Sequence, residues 1–206
     1  VYTLIGNAHL DRLGDRPGVF KAKTEMLGFM PDNGTVFLNA DDDLLSTCIC
    51  RQSKVLYGLS ENADVRAENI KTESAAKQTC DIISGKRRMH VGIPAYGRHM
   101  VYAALEGAAV GIKFGLSDDE IIRGIAAYKT VGRRANVIDT GYITIIDDCY
   151  NANPDSVKCA IDSMAEGGGR KVCILGDMLE MGTERAARHA DIGRYAAQKG
   201  VELLLC

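Results

Sequence analysis

The chain has 206 residues, of which 46% are hydrophobic and 25% are charged, and its formal net charge at pH 7 is −2. This composition is ordinary for a globular protein and provides no basic field that would attract nucleic acid or an anionic membrane surface. No apolar run approaches the roughly 18 residues that a membrane span needs. The spacing of the seven cysteines suggests no disulfide framework, which predicts a reducing compartment such as the cytoplasm.

In the first part of the chain, turn signals separate segments with helical and strand-like patterns. Gly6 ends an apolar, strand-like run at residues 1–5, and a helical period follows at residues 19–30. Two short strands, an antiparallel ribbon with a turn at its centre, and two helices are then predicted at residues 35–39, 55–59, 64–94, 102–112 and 117–128. The sequence therefore predicts a mixed α/β fold.

Beyond residue 133, strand and helix patterns alternate. A strand-like segment with a turn at Gly141 precedes Asn153 and Pro154, which are typical of the cap and first residue of a helix. A buried strand, a helix and a last strand are predicted at residues 171–175, 183–199 and 201–206. This alternation predicts a parallel, Rossmann-like layer, and we place a boundary between two domains, residues 1–134 and 135–206. The apolar runs at both ends suggest an internal piece of a longer protein.

Two groups of motifs carry a resemblance to a known family. The first group is Gly6-Asn7-Ala8-His9-Leu10-Asp11, Lys21-Ala22-Lys23-Thr24-Glu25 and Asn39-Ala40-Asp41-Asp42. The second is Asp147-Asp148-Cys149-Tyr150-Asn151-Ala152-Asn153-Pro154-Asp155-Ser156 and Leu175-Gly176-Asp177-Met178-Leu179-Glu180-Met181-Gly182. In this order, with Gly97-Arg98-His99 and Gly132-Arg133 between them, they resemble the Mur ligases. The resemblance implies the second half of a central ATPase domain followed by a truncated Rossmann-like C-terminal domain.

The chemistry that this resemblance implies is ATP-dependent formation of an amide bond. The second motif group is similar to the branch that adds D-alanyl-D-alanine to UDP-N-acetylmuramoyl-tripeptide in peptidoglycan precursor synthesis. In the family, the substrate carboxylate forms an acyl phosphate, and the incoming amine then displaces phosphate. Magnesium and fixed cations neutralise the phosphoryl charge. A full-length enzyme of this kind is expected to be a cytoplasmic monomer.

The resemblance also implies a magnesium site formed by His9 and by a lysine that carbon dioxide has carbamylated. Helical periodicity favours Lys23 over Lys21, because Lys23 falls in the middle of an apolar arc and Lys21 falls opposite it. The arc consists of Val19, Phe20, Ala22, Met26, Leu27 and Met30. Apolar neighbours favour the neutral amine that reacts with carbon dioxide. We therefore predict carbamylated Lys23 and His9 as catalytic metal ligands, the alternative being a lysine that extends from the helix edge into solvent.

Further residues match nucleotide-binding positions of the family. Asn39 and Asp41 lie at the C-terminal end of a predicted strand, where α/β sites collect, although turn chemistry would explain them equally well. The resemblance implies that Arg133 contacts the phosphates or ribose and that Asp148 accepts the ribose hydroxyls. His99 is available to stack against adenine.

A second set of residues is assigned to the incoming dipeptide or the nucleotide. It comprises Tyr150, Asn151 and Asn153, of which Asn153 has the simpler alternative role of a helix cap. Asp177 and Glu180 follow another predicted strand and could be turn residues.

The sequence departs from the family in two respects. It contains no G-x-x-x-x-G-K-[ST] loop, since Gly85-Lys86 is followed by Arg87 within a predicted hairpin. Met100 and Ala103 stand where the family often has asparagines that bind adenine. We therefore expect this chain alone to bind ATP weakly and not to hydrolyse it. The alternatives are a folylpolyglutamate synthase, another Mur ligase, or a nucleotide-binding module without catalysis.

Overall fold

The computed structural model describes residues 1–7, 10–74, 76–95, 97–179 and 181–206, with the backbone alone for Asp11. Its helices are α1 (Leu10–Leu13), α2 (Arg16–Thr24), α3 (His99–Lys113), α4 (Asp118–Ala126), α5 (Pro154–Ala165) and α6 (Arg185–Gln198). Short 3₁₀ turns lie at Glu25–Gly28 and Gly182–Glu184. The strands are β1 (Thr35–Asn39), β2 (Ser53–Gly58), β3 (Val65–Ser74), β4 (Lys77–Ser84), β5 (Arg87–Ile93), β6 (Asn136–Asp139), β7 (Thr144–Asp147), β8 (Val172–Ile174) and β9 (Leu203–Leu205). The predicted α/β class is confirmed.

A five-stranded sheet of order β1-β2-β3-β4-β5 forms the centre of the first part of the chain. Strands β1 and β2 pair in parallel, whereas β3, β4 and β5 form the predicted antiparallel ribbon.

The apolar run at residues 1–5 is predicted from the sequence to be a strand, and this prediction is wrong for most of the run. Only Tyr2 forms a parallel bridge, with Leu38, because side chains rather than a strand ladder bind much of the following backbone.

Two hydrophobic clusters stabilise this part of the molecule. One lies between the sheet and helices α3 and α4, with Tyr57, Ile82 and Leu105 among its fully buried side chains. The other joins the chain start to helix α2 and strand β1 through residues such as Ile5 and Leu38. Burial of this apolar surface fixes the C-terminal end of β1 against the first residues of the chain.

The second part of the chain contains an antiparallel hairpin, β6–β7, and a parallel pair, β8–β9, with helices α5 and α6 packed beside that pair. A third hydrophobic cluster, which includes Ile161, Cys173 and Ile192, holds these helices and β8 together. The strand predicted at residues 171–175 is confirmed as β8, but its predicted burial is wrong, because the described residues cover only one face of it. Cys173 is buried, whereas Ile174 is 78% exposed.

Sequence signals set the helix boundaries. The Asp15 side chain caps α2, and the Ser117–Glu120 pair forms the capping box that starts α4. None of the described helices has the length and apolar character needed to cross a membrane.

Candidate functional site

The candidate site is centred on residues 3–7, an extended stretch that we call the 3–7 segment. Side chains from several elements bind its backbone. The amide of Ile5 donates to the Asp42 carboxylate at 2.8 Å, and the Thr3 carbonyl accepts from Asn39 Nδ2 at 2.9 Å. Because Asn39 is the last residue of β1 and Asp42 follows the strand, the segment is fixed to the C-terminal end of that strand. It continues to Ala8 and His9, which lie outside the described residues.

Lys23 binds the same segment from helix α2. Its Nζ donates to the Leu4 carbonyl at 3.0 Å. The expectation that Lys23 lies under apolar neighbours is wrong, because the side chain is exposed, as are Ala22 and Met26 of the proposed arc. Val19 is the buried residue of α2, so the buried face of this helix does not extend to Ala22 and Lys23, and the 3₁₀ turn after Thr24 changes the period for Met26. The desolvation argument therefore does not apply to Lys23 in this chain.

Arg16 is a fourth side chain that binds the 3–7 segment, and the sequence did not indicate it. Its Nε donates to the Ile5 carbonyl at 2.8 Å, and its guanidinium also pairs with the exposed carboxylate of Asp43. This hydrogen bond raises the pKa of Arg16 and lowers the pKa of Asp43. Arg16 lies in none of the quoted motifs, and Asp42 was quoted in one but was not singled out as a site residue, since the partners of both side chains are backbone groups distant in sequence.

Asn39 and Asp41 are both engaged in structural hydrogen bonds. The Asn39 amide bridges the Thr3 carbonyl and the Asp41 backbone, which is the turn chemistry left open above. The Asp41 carboxylate accepts from the backbone amides of Leu59 and Ser60 at 2.5 and 3.0 Å. It also accepts from the Tyr102 hydroxyl at 2.9 Å; burial and this hydrogen bond raise the pKa of Tyr102 to about 12. Nucleotide binding by Asn39 and Asp41 stays a prediction.

A second group of predicted site residues surrounds the connection between α4 and α5. The Asp148 carboxylate accepts from the Ala135 amide at 3.0 Å, which helps hold Ala135 at a φ of +50°. The exposed Arg133 guanidinium approaches the Cys149 thiol, with Nη1 and Sγ 3.8 Å apart. Desolvation lowers the pKa of His99, and the Asp148 carboxylate opposes this shift. Arg133, Asp148 and the start of α3 therefore lie near one another, as expected for one site.

The residues predicted to bind the dipeptide come directly after Asp148 and Cys149 in the sequence. Tyr150 is 66% exposed and stacks under the Arg134 guanidinium, 3.9 Å from the ring centroid, whereas Asn151 is exposed. Asn153 caps α5 by accepting from the amides of Asp155 and Ser156, so its alternative role as a cap is confirmed. A role in substrate binding for these three residues stays a prediction.

The motif at residues 175–182 contributes to the stability of the fold. Asp177 pairs with Arg185, and the amide of Met178 donates to His189 Nε2 at 3.0 Å, which together anchor the loop after β8 to helix α6. Glu180 lies outside the described residues.

The two groups of residues meet at the 3–7 segment. The amide of Asn7 donates to Asp155 Oδ2 at 3.1 Å, so the first turn of α5 lies against the residues that precede Ala8 and His9. Asp155 was quoted within a motif but was not singled out as a site residue. Its partner is 148 positions away in sequence, and only the tertiary structure brings them together.

The described side chains fit magnesium only in part. Among them, no three histidine, cysteine, aspartate or glutamate residues cluster closely enough to hold a metal ion. The carboxylates of Asp41 and Asp42 already accept several hydrogen bonds from the protein. A carbamate on Lys23 of α2 would add the oxygen ligands that magnesium prefers, beside the segment that continues to His9.

The same two-part organisation is found in a known family. Residues 1–111 match the model of the Mur ligase middle domain, and residues 133–206 match that of the Mur ligase glutamate ligase domain. The first match covers more than half of the chain, and the chain therefore belongs to the Mur ligase family of ATP-dependent ligases.

The chain is similar to several named members of this family. The UDP-N-acetylmuramoyl-tripeptide–D-alanyl-D-alanine ligase of Escherichia coli is 35% identical over 204 residues, which is 96% of this chain and 45% of that protein. The structure of MurF from Acinetobacter baumannii has a TM-score of 0.90 at 26% identity, over 98% of this chain and 45% of that one. A MurF ligase from Thermotoga maritima in complex with ADP has a TM-score of 0.84 at 21% identity, over 98% and 52%. The chain spans about half the length of these relatives.

Proposed function

We propose that the chain forms part of an ATP-dependent ligase that joins D-alanyl-D-alanine to UDP-N-acetylmuramoyl-tripeptide in the cytoplasm. The observation that carries the proposal is the meeting of both motif groups at the 3–7 segment, which Lys23 and Asp155 both contact. The names of the relatives support the substrates, and the ADP in the Thermotoga maritima structure supports the nucleotide. We keep the domain boundary between residues 134 and 135 as part of the proposal.

The proposed reaction requires stabilisation of phosphoryl charge and exclusion of water. We assign carbamylated Lys23 and His9 to magnesium, which when bound neutralises the charge that develops on the transferred phosphoryl group. Arg133 suits the phosphates because its planar guanidinium offers several fixed donors, and its exposed side chain is accessible to them. The attacking amine of the dipeptide would displace phosphate from the acyl phosphate and form the amide bond.

Other residues are assigned to binding. We assign Asp148 to the ribose hydroxyls and His99 to stacking on adenine, and the desolvation that lowers the pKa of His99 favours the neutral imidazole. The exposed ring of Tyr150 and the exposed amide of Asn151 are assigned to the dipeptide. Asn153 is kept as a weaker candidate, because its side chain oxygen is committed to the α5 cap.

A chimeric enzyme tests this proposal. The span of the Escherichia coli relative that aligns with this chain, 45% of its length, is replaced by residues 1–206. The purified chimera is incubated with ATP, magnesium, UDP-N-acetylmuramoyl-tripeptide and an equimolar mixture of D-alanyl-D-alanine and L-glutamate. Mass spectrometry then identifies the amide product. We expect the D-alanyl-D-alanine adduct, and the relative with the same span deleted should form none.

Two outcomes would contradict the proposal. A product that contains only glutamate would favour a folylpolyglutamate synthase or another branch of the family. A folded chimera, judged by its circular dichroism and cooperative unfolding, that forms neither product would favour a module without catalysis.

A further inference from the structure

Helix α5 has two opposite faces with different partners. Val157, Ile161 and Met164 pack into the hydrophobic cluster of the second part of the chain. Asp155, Ser163 and Glu166 lie within about 80° of one another on the other side of the helix, at 3.6 residues per turn. This second face contacts the first part of the chain.

Three contacts run along that face. Asp155 accepts from the Asn7 amide at its start, and Glu166 Oε2 accepts from Thr72 Oγ1 at 3.3 Å at its end. Between them, the buried Ser163 approaches Gly97 so closely that a Cβ on Gly97 would lie 2.5 Å from Ser163 Oγ. Since Gly97 also has a φ of +89°, the turn before α3 and the helix α5 fit each other only with glycine there.

The Asp155 carboxylate is not needed to cap its own helix. Asn153 and Ser156 already form a complete capping box, so the amides of the first turn have partners without it. Asp155 Oδ2 accepts instead from Asn7, and it lies 2.8 Å from the position that a Cβ on Gly6 would take. The carboxylate therefore faces the Gly6–Asn7 peptide closely.

We propose that Asp155 is a positioning residue that holds the Gly6–Asn7 peptide and so couples the docking of α5 to the placement of the segment that continues to His9. Its relevance to catalysis rests on the proposed ligase function, in which His9 is a metal ligand. The contact between Asp155 and Asn7 does not depend on that function, and it can be tested in the chain without any assay of activity. A carboxylate that accepts an amide hydrogen forms one of the stronger hydrogen bonds in proteins, which suits this role.

Hydrogen exchange of the Asn7 amide, measured by NMR on the 206-residue chain, tests the proposal. Asp155→Ala should accelerate exchange at Asn7 by roughly 10- to 100-fold, the range for losing a hydrogen bond to a charged group. Asp155→Asn should restore part of the protection, because its amide oxygen still accepts. Asp119→Ala is the matched control, since Asp119 occupies the same second position of α4, a helix with a capping box of its own. It should leave Asn7 unchanged.

A double-mutant cycle separates direct contact from a general loss of stability. Gly6 does not have a left-handed backbone, so Gly6→Ala is tolerated locally, but its methyl group would displace the Asp155 carboxylate. Gly6→Ala alone should also accelerate exchange at Asn7, and it should have little further effect when Asp155 is already alanine. Unchanged exchange in Asp155→Ala, additive effects in the double variant, or equal effects of Asp155→Ala and Asp119→Ala would each overturn the proposal.

Discussion

The three successive aspartates after β1 show how neighbouring residues of one type acquire different roles. Asp41 closes the end of the sheet against the Leu59–Ser60 turn and Tyr102, whereas Asp43 pairs with Arg16 at the surface. Asp42 is 3% exposed and accepts from the backbone amides of Ile5, Leu44 and Leu45. The side chain of Asp42 thus holds both the 3–7 segment and the turn that follows β1.

We expect Asp42→Ala to destabilise the chain strongly. The change would leave three backbone donors without their acceptor, at a cost on the order of 3 kcal/mol in the free energy of unfolding. Asp43→Ala is the control next to it and should have a much smaller effect, because an exposed ion pair is screened by solvent. Urea unfolding followed by circular dichroism measures both. Similar midpoints for the two variants would show that Asp42 is not the anchor described here.

Lys23 and Lys21 differ by two positions on one helix and provide a test of the proposed metal ligand. In the chimeric enzyme, Lys23→Ala should lower turnover roughly 100-fold or more, the scale found when one group that stabilises transition-state charge is removed. Lys21→Ala should change it little. Because both side chains are exposed, neither variant should unfold the protein.

Chemical rescue provides a second comparison of the Lys23→Ala and Lys21→Ala variants. Acetate or formate should restore part of the activity of Lys23→Ala by occupying the position of the lost carbamate, and should not affect Lys21→Ala. Equal activity of the two alanine variants would return Lys23 to the role of a surface lysine that binds the Leu4 carbonyl.

At the scale of elements, helices α4 and α5 both begin with a capping box. Ser117 and Glu120 bind two amides at the start of α4, and Asn153 and Ser156 bind three at the start of α5, all of which the helix itself leaves without partners. In α5 the capping box also fixes the direction of the helix where the face that carries Asp155 meets the 3–7 segment. Asn153 can therefore affect the site through the helix without touching a substrate.

Substitutions at the cap distinguish these two roles of Asn153. Asn153→Ala should lower the free energy of unfolding by about 1 kcal/mol, as should Ser117→Ala, because both lose an N-cap acceptor. Asn153→Ser should be nearly neutral, since serine is an equally good cap. Thermal unfolding measures the stabilities, and the chimeric enzyme reports turnover. If Asn153→Ser kept its stability but lost most of its activity, the amide would be a substrate ligand rather than a cap alone.

At the scale of the whole molecule, we expect no ATP hydrolysis by the chain alone. A phosphate-binding loop cradles the phosphates with successive backbone amides and a lysine, and the sequence contains no G-K-[ST] tripeptide. A phosphate-release assay with and without magnesium checks this, with the Lys23→Ala and Arg133→Ala chains as controls. Magnesium-dependent release that these substitutions abolish would show that the chain carries a complete site.

The local sequence by itself determined most of the elements. Turn residues, caps and periodicity predicted β1, the ribbon that contains β3 to β5, the two capped helices and the alternation beyond residue 133, because each depends on interactions within a few residues. It also supplied the motifs through which the family was recognised. Local signals were less successful where a helix changed its pitch, as at Glu25–Gly28, and where burial depended on a neighbouring layer, as at β8.

The tertiary structure alone decided how the site is assembled. Lys23 proved to be exposed, and the contacts of Asp42, Arg16 and Asp155 with the 3–7 segment could not be predicted from the sequence. Their partners are backbone groups, which every residue carries, at separations of 37, 11 and 148 positions. Such pairs leave no pattern in a single sequence, because folding of the whole chain is what brings one particular amide or carbonyl to each side chain.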